Sequence, residues 1–486
     1  MGTPLAGWDP AEAWQPAPAE PWDLKWAAHL HRRAAFGFPA QPVGVGGKSQ
    51  KPHERLKQAA AEGRDASVER LLAGHAGLSE FDDLMDALGG RISKTTAPYY
   101  FGGPPVEKLQ GWWLYRMFHT PHPLRERLTL FWHDHFATSI AKVASMPAML
   151  AQNRLLRRHA LGRFGPLLHD VSHDPAMIVW LDTNKNVKGR PNENYARELM
   201  ELFSLGVGNY SERDIREAAR AFTGWGAAGG EFLFNDALHD DGEKTVLGRT
   251  GEWAGDDVVR IVLEQPACPR FLARKLFREF VSEAGPLPDA LVEPLARRLR
   301  ETDFDLADCL GIILRSRIFF SDDAYRARIK GPVEYVVGAL QSFNARVPVE
   351  GLATAMEGLG QALFAPPNVK GWDGGEAWIN SATLVARHNL AERLVGGRDD
   401  VFQSKIDPAA MTIDETGTDA EKQVDFLLNL LLQGDVAPEV RKRLTEHAEG
   451  GKPPESLRTP AEAANYALRL RSVTHAIMLL PEYQLA

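Results

Sequence analysis

The chain has 486 residues, of which 44% are hydrophobic and 25% are charged, a composition typical of a folded globular protein. This length exceeds what one hydrophobic core usually supports, so two or three packed subdomains are expected. The formal net charge of −8 argues against a general nucleic-acid binder, which would carry a basic excess. Because only Cys268 and Cys309 are present, a disulfide scaffold and a cysteine-rich metal site are excluded.

The start of the chain, "MGTPLAGWDPAEAWQPAPAEPWDLKW", lacks a basic region followed by an apolar one, which a secretory signal requires. No run of the sequence approaches the roughly eighteen uninterrupted apolar residues of a membrane-spanning helix. The sequence therefore predicts a cytoplasmic protein without a transmembrane segment.

Helical patterns follow one another along most of the chain after residue 22. Residues 226–252 break this pattern, since Phe232 and Phe234 alternate with polar residues among many glycines, which predicts a short hairpin or two short strands. The stretch 364–381, "FAPPNVKGWDGGEAWINS", is too rich in Pro, Gly and Asn to be regular, and long ordered loops of this kind often line a site. The predicted fold is mainly α, a multi-helical bundle-like body with a small β-hairpin insertion and a long ordered Pro/Gly/Trp loop.

Shifts in composition divide the chain into six predicted segments. These are an extended N-terminal arm (1–22), an N-terminal helical subdomain (23–225), a short β/loop insertion (226–254), a second helical subdomain (255–395), a polar linker (396–420) and a C-terminal helical tail (421–486). Local signals support the helices. In "SERDIREAARAFTGW", for example, Ser211 and Asp214 have the spacing of a capping box.

The stretch "LLHDVSHDPAMIVWLD" carries two histidines with metal-ligand spacing. His169 and His173 are four residues apart and share a helix face, as in helical zinc sites. Asp170 and Asp174 repeat this offset, either as extra ligands or as partners that orient the imidazoles. The alternative is a solvated helix end with an aspartate cap, because the spacing alone is not specific and the Glu of the zincin motif is absent.

A second histidine pair lies in "FWHDHF". On a helix, His133 and His135 point to nearly opposite sides and cannot bind one ion together. His135 falls in an apolar stripe with Leu128 and Trp132, which favours a buried, hydrogen-bonded structural histidine. Its alternative role is that of a third metal ligand.

The helix "RPNENYARELMELFSLG", residues 190–206, places one acidic residue at the edge of its buried face. Winding at 3.6 residues per turn centres that face on Tyr195, Leu199 and Leu202. Glu198 flanks this stripe, and a carboxylate half inside a core needs an arginine, a histidine or a metal as partner. Glu198 is therefore a candidate functional residue.

Two loops offer candidate substrate-binding residues. "HDDGEKTVLG" contains His239 and Lys244, and "NVKGWDGG" contains Asn368, Lys370 and Trp372 among glycines that permit close backbone approach. Neither stretch has the pattern of a phosphate-cradling loop.

Five blocks of the sequence point to a known family: "FWHDHFATS", "DPAMIVWLDTNKNVKGRPNENYARELMELFSLGVGNYSERDIREAARAFTGW", "HDDGEKTVLG", "PACPRFLARKLFREFV" and "PPNVKGWDGGEAWINSATLVARHN". In order and spacing over residues 24–486 they resemble the bacterial family catalogued as domain of unknown function 1800. The resemblance implies relatives that are often exported and encoded beside a sulfatase-like family, which is a candidate partner. This chain departs from them because it lacks a recognisable export signal. The resemblance carries over no catalytic residues.

The residues support two main hypotheses for function. In the first, the protein is a metal-dependent hydrolase whose zinc, iron or manganese ion is held by His169 and His173 with Glu198 or His135. Asp174 would then act as general base on metal-bound water, and Glu198 is the other candidate catalytic carboxylate.

In the second hypothesis, the protein is a non-enzymatic binding or scaffold protein, whose twelve tryptophans serve a groove for a polymer or protein partner. A role on glycans ranks below both, since nothing in the sequence fixes two carboxylates at the required separation. The sequence leaves the first two hypotheses open.

Overall fold

The computed structural model describes residues 5–38, 51–73, 80–94, 105–345, 347–396, 404, 406–450 and 459–486. Within these residues the protein is mainly α-helical, with two small antiparallel sheets of two strands each. The predicted mainly α fold with a small β insertion is therefore confirmed. None of the helices described is both long enough and apolar enough to cross a membrane.

Thirteen helices precede the strands in the described part of the chain. They are α1 (Pro10–Ala13), α2 (Leu24–Ala34), α3 (Pro52–Glu62), α4 (Arg64–Leu72), α5 (Glu80–Ser93), α6 (Pro105–His119), α7 (Pro123–His135), α8 (Ile140–Val143), α9 (Met146–His159), α10 (Phe164–Ser172), α11 (Pro175–Trp180), α12 (Asn194–Glu198) and α13 (Glu212–Ala221).

The helices that follow the strands complete the described structure. They are α14 (Gly255–Leu263), α15 (Ala267–Phe280), α16 (Asp289–Glu301), α17 (Leu306–Ile313), α18 (Pro332–Phe343), α19 (Val349–Gly358), α20 (Ser381–Val395), α21 (Pro408–Thr416), α22 (Ala420–Leu432), α23 (Pro438–Glu449), α24 (Pro460–Leu479) and α25 (Pro481–Gln484). Short 3₁₀ turns occur at Leu5–Gly7, Thr183–Lys185, Asp236–Leu238 and Gly375–Trp378.

The β insertion consists of two hairpins. Strand β1 (Trp225–Ala228) pairs with β2 (Glu231–Phe234), and β3 (Lys244–Val246) pairs with β4 (Arg249–Gly251). Gly229 and Gly230 connect the first two strands with φ of +61° and +86°. Two consecutive positive φ angles are what a tight hairpin turn of matching twist requires, and glycine adopts them without steric cost.

Helix α12 is shorter than the periodicity of residues 190–206 predicts, because it continues as a π-helical turn over Leu199–Ser204. The wider turn rotates the following side chains relative to a 3.6-residue helix. Phe203 is therefore fully buried, whereas Leu202, predicted on the buried face, is only half-buried. The hydroxyl of Ser204 donates to the Leu199 carbonyl within this turn.

Buried apolar side chains form two clusters, here called the first core and the second core. The first core draws on α2, α4, α7 and most of α9 to α17, and the second on α6, α18 and the helices that follow it. Helix α7 serves both, since Leu128 and Trp132 belong to the first core and Leu130 to the second. The first core thus takes residues from both predicted helical subdomains, and the division at residues 225 and 255 stays a prediction.

A buried ion network fixes four helices between the two cores. Glu126 of α7 accepts hydrogen bonds from Trp113 Nε1 at 2.6 Å, Arg116 Nε at 3.0 Å and Arg157 Nε at 2.9 Å. Burial raises the pKa of Glu126, but the guanidinium groups of Arg157 and Arg116 outweigh it and lower the pKa to about 2. Asp82 of α5 joins the network through Arg116 and Arg125.

The segment that follows α17 contacts residues near both ends of the chain. Trp8 Nε1 donates to Asp323 at 2.9 Å, so the predicted N-terminal arm, of which residues 1–4 lie outside the described residues, packs on the body. At the other end, Lys330 N donates to the Gln484 carbonyl and Ala486 N to the Arg328 carbonyl, both at 2.8 Å. The predicted linker 396–420 contains α21, and its residues 397–403 and 405 lie outside the described residues.

Candidate functional site

A cleft with a volume of ≈ 570 Å³ lies where α7, α15 and the loop 364–380 meet. The loop is the one whose Pro, Gly and Trp content predicts an ordered site-lining segment. It contributes Lys370, Trp372, Asp373, Gly374, Gly375, Glu376 and Trp378. Helix periodicity explains the other walls. Helix α7 presents Arg127, Phe131 and Asp134, and α15 presents Phe271, Arg274, Lys275, Arg278 and Glu279; in each set, residues three or four apart lie on one face of the helix.

Asp134 is held at the cleft wall by the loop. Its Oδ1 accepts a hydrogen bond from the backbone N–H of Trp372 at 2.7 Å. The preceding residue, Gly371, has φ +86°, and a Cβ there would overlap Asp134. Burial raises the pKa of Asp134 to about 7, although the Trp372 N–H and the ammonium of Lys275 both act to lower it.

Lys275 reaches the cleft from α15 without a polar partner. In the described part of the chain its ammonium makes no hydrogen bond and no ion pair, and its Nζ lies 5.7 Å from the Phe271 ring centroid. Burial lowers the pKa of Lys275, and the charge of Asp134 opposes that shift. The cleft therefore contains an acid with a raised pKa and a base with a lowered pKa, each acting on the other's charge.

Five other charged side chains that line the cleft form ion pairs with one another. Arg127 Nη2 contacts Glu279 at 2.6 Å and Glu334 at 2.7 Å, and Arg328 contacts Glu283 at 3.0 Å. Burial raises the pKa of Glu334, but Arg127 and Arg328 outweigh it and lower the pKa to about 2. Glu334 is therefore ionised at neutral pH, and the ion pairs of this network form the floor of the cleft.

His169 and His173 lie together at the end of α10, as their spacing predicts. Their ring centroids are 4.4 Å apart, and the third nearby group is Asp256 near the start of α14. Asp256 Oδ1 lies 3.5 Å from His169 Nε2 and 3.3 Å from His173 Nε2. One ligand atom from each residue lies within 4.8 Å of the other two, a grouping that could hold a metal ion.

The structure does not bring His135 to this group. His135 is buried, and its Nε2 forms a hydrogen bond with the Phe203 carbonyl at 3.0 Å. His133 points elsewhere, since its Nε2 accepts the backbone N–H of Phe364 at 3.1 Å. The two rings thus leave α7 in different directions, as their i, i+2 spacing predicts.

Neither of the two predicted catalytic carboxylates belongs to the described group of His169, His173 and Asp256. Asp174 caps α11, accepting hydrogen bonds from Met177 N at 2.9 Å and Gln152 Nε2 at 2.8 Å, and burial raises its pKa to about 6. Glu198 is half-buried and has no hydrogen bond or ion pair to any described residue. Burial raises the pKa of Glu198, and the charge of Lys370 opposes that shift.

Of the five predicted substrate-binding residues, two line the cleft, Lys370 and Trp372. Asn368 is exposed and accepts from the backbone N–H of Lys370 at 2.8 Å, which shapes the loop. His239 and Lys244 are buried beside the β insertion, where His239 Nδ1 contacts the Thr223 carbonyl at 2.9 Å and Lys244 Nζ donates to the Gly242 carbonyl at 2.8 Å.

Fold and site together define a mainly α-helical protein with a cleft closed on one side by a glycine- and tryptophan-containing loop. The family described as Protein of unknown function (DUF1800) matches residues 29–485, and the chain belongs to this family. The resemblance noted in the sequence is therefore confirmed. No curated protein and no solved structure matches the chain.

Proposed function

We propose that the protein is a hydrolase that acts on a polar organic substrate in the cleft by general acid–base catalysis. The observation that carries this proposal is that Asp134 of α7 and Lys275 of α15 line the same cleft, close enough for each charge to act on the other's pKa. Burial shifts the pKa values of both groups toward neutral pH, and neither group is consumed in an ion pair with a described residue. Opposed shifts of this kind in a cleft are typical of catalytic groups.

Asp134 has the ionisation that both halves of a hydrolysis need. With a pKa of about 7, it is present as carboxylate and as acid at neutral pH. As carboxylate it takes a proton from the attacking water, and as acid it returns that proton to the leaving oxygen or nitrogen. The Trp372 N–H bond to Oδ1 keeps the carboxyl group oriented through both steps.

Lys275 is positioned to stabilise negative charge. A half-buried ammonium that has no partner among the described residues interacts favourably with an anionic oxygen that develops beside it, because the cleft walls shield both from part of the solvent. In this proposal the ammonium of Lys275 donates to the substrate oxygen that becomes negative in the transition state. Asp134 and Lys275 thus have separate roles, proton transfer and charge stabilisation.

Substrate recognition follows from the other groups of the cleft. Arg278 is exposed on the same helix as Lys275 and forms no ion pair with a described residue, so its guanidinium can bind an anionic group such as a carboxylate. Phe131 and Trp372 offer half-buried aromatic surface for an apolar part of the same molecule. We therefore propose a substrate that combines an anionic group with an apolar moiety.

The sequence-based roles of Asp174 and Glu198 are not part of this proposal. The Asp174 carboxylate is occupied as a helix cap, and Glu198 is not among the residues that line the cleft. Under the second hypothesis from the sequence, a non-enzymatic binding protein, the same cleft binds a partner without catalysing a reaction. Turnover separates it from the hydrolase proposal.

The test uses the full chain and a panel of chromogenic carboxylic esters, anilides, phosphate esters and sulfate esters at pH 5 to 9. We expect turnover of one class, reduced about 10²–10⁴-fold in Asp134→Asn and Lys275→Met. Asp322→Asn and Lys442→Met change side chains that are 92% and 77% exposed and serve as controls. Equal turnover in all variants would overturn the assignment, and binding without turnover would favour the binding-protein hypothesis.

A measurement that needs no substrate complements this test. Carbon-13 NMR of protein labelled at the aspartate carboxyl carbons, compared with the Asp134→Asn variant, isolates the Asp134 signal. We expect it to titrate near the raised pKa of about 7. A midpoint below pH 5 would remove the physical basis of the proposal.

A further inference from the structure

We propose that His169, His173 and Asp256 form a binding site for a divalent transition-metal ion of the zinc type, which joins the end of α10 to the start of α14. The inference goes beyond the proposed function and does not depend on it, because none of the three residues lines the cleft. It rests on ligand spacing, on how the imidazoles are held and on the surroundings of the group.

The distances match those between ligands of one ion. In a tetrahedral site, two ligand atoms each about 2.0–2.1 Å from zinc lie roughly 3.3 Å apart. Asp256 Oδ1 lies 3.3 Å from His173 Nε2 and 3.5 Å from His169 Nε2. A single ion between the three atoms therefore needs only small side-chain adjustments.

The far nitrogen of each imidazole already has a partner. His173 Nδ1 contacts the His169 carbonyl at 2.9 Å, and His169 Nδ1 contacts Asp170 Oδ1 at 3.2 Å. Such contacts place the ring proton on Nδ1 and leave the Nε2 lone pair free, which is the arrangement found around metal-binding histidines. Asp170 is itself held by His159 Nε2 at 2.7 Å.

The proposed metal site is covered by aromatic rings on one side and is open to solvent on the other. The ring of His173 packs against Trp225 and Phe232 at centroid distances of 4.5 and 4.4 Å. The side chains of His169 and Asp256 are 50% and 58% exposed, so an ion can enter from solvent and keep water at its remaining positions. The site also lies at the carboxyl end of α10, where the helix dipole favours positive charge.

The ligand types narrow the choice of ion. Two imidazole nitrogens and one carboxylate suit zinc, cobalt, nickel and ferrous iron, whereas calcium and magnesium prefer oxygen ligands alone. Three protein ligands with open positions are also the number that exchangeable or catalytic zinc sites use. We therefore expect zinc to bind and magnesium not to compete.

The test is calorimetric titration of Zn²⁺ into the full chain, purified without a His tag and stripped with chelator, with Co²⁺ absorption as an independent readout. We expect one equivalent of Zn²⁺, unaffected by excess Mg²⁺, and affinity reduced at least 10-fold in His173→Ala and Asp256→Asn. His447→Ala, at an exposed histidine of α23, is the matched control.

The outcomes are distinct. Circular dichroism of each variant checks folding, and Asp256→Asn changes an exposed side chain without altering its shape. Wild-type protein that takes up no Zn²⁺, or takes it up equally well in Asp256→Asn and His173→Ala, would overturn the site. Variants that lose Zn²⁺ binding but keep the turnover of the cleft would show that the metal site and the cleft act independently, as their separate positions predict.

Discussion

The pKa of Asp134 depends on the elements that pack around its side chain. The carboxyl group is close enough to Lys275 for each charge to alter the pKa of the other, yet the two form no ion pair. Among the described residues, the carboxyl group accepts one hydrogen bond, from the backbone N–H of Trp372. Because burial is the larger effect, the group remains partly protonated at neutral pH, which an exposed aspartate does not.

The raised pKa predicts a pH-dependent cost to stability. An unfolded aspartate titrates near pH 3.9, whereas Asp134 in the folded protein titrates at about 7. The folded state therefore favours the protonated form, and its contribution to stability is complete below about pH 4 and lost as pH rises through 7. Asp134→Asn keeps an acceptor for the Trp372 N–H and cannot ionise.

We expect Asp134→Asn to gain stability relative to wild type between pH 5 and pH 8, measured as the free energy of unfolding in urea at both pH values. Asp322→Asn, at an exposed position, should show no such gain. A difference between Asp134→Asn and wild type that is the same at both pH values would contradict the raised pKa.

At the scale of residues, the sequence predicts spatial proximity only for residues that are close to each other in the sequence. The i, i+4 spacing of His169 and His173 predicts that the two rings lie together, and they do. Asp256 comes from another helix, and its approach depends on how α14 packs against α10. Lys275 gives no signal in "RFLARKLFREF" beyond its position at the edge of an apolar stripe. Asp134 gives no signal in "FWHDHF" either, because its raised pKa and its bond from Trp372 depend on contacts with residues far away in the sequence.

At the scale of elements, the loop 364–380 forms a wall of the cleft without being a helix or strand. Its backbone reaches α7 at Gly371, which lies directly against Asp134. A side chain at this position would push the loop away and break the hydrogen bond from Trp372. The glycines that make this loop irregular in sequence are thus what allow it to approach the helix.

Gly371 and Gly374 provide a matched pair to test this. Both have positive φ, +86° and +71°, so alanine strains the backbone at each. Only Gly371 is crowded, since a Cβ at Gly374 would meet no atom within 4 Å. We expect Gly371→Ala to lose about 1–3 kcal/mol more in urea unfolding than Gly374→Ala, as overpacking does. Equal losses of unfolding free energy in the two variants would show that the close contact between Gly371 and Asp134 does not affect stability.

The sequence predicts those elements whose signals lie within a few neighbouring residues. Ser211 and Asp214 form the capping box, with Asp214 N donating to Ser211 Oγ at 3.3 Å and Ser211 N to Asp214 Oδ2 at 2.9 Å. The π-helical turn at Leu199–Ser204 was not predicted, because a fixed 3.6-residue period cannot represent a change of winding. The turn buries Phe203 in the first core, a contact that the local pattern does not contain.

At the scale of the molecule, α7 joins the two cores, and successive segments of the chain contribute residues to one core or the other. Its apolar residues belong to both, and Glu126 between them binds α6 and α9. Composition predicts more than one core from length alone. It does not predict which segments share a core, since that depends on contacts between residues far apart in the sequence.

The shared helix predicts that the two cores unfold together. Leu128 and Leu428 are fully buried in the first and second core, respectively. We expect Leu128→Ala and Leu428→Ala each to cost about 2–5 kcal/mol and to shift one common urea transition, followed by circular dichroism and by tryptophan fluorescence. Two separate transitions, each shifted by only one variant, would contradict this.

The pairing of residues 484–486 with residues 328–330 has a consequence for the order of events during synthesis. Arg328, which belongs to the floor of the cleft, leaves the ribosome long before its backbone partners are made. Helices α7 and α15 can form earlier, because their hydrogen bonds are local. The backbone at residues 328–330 is therefore paired only after α7 and α15 have been made, so this part of the cleft floor is fixed after the helices that carry Asp134 and Lys275.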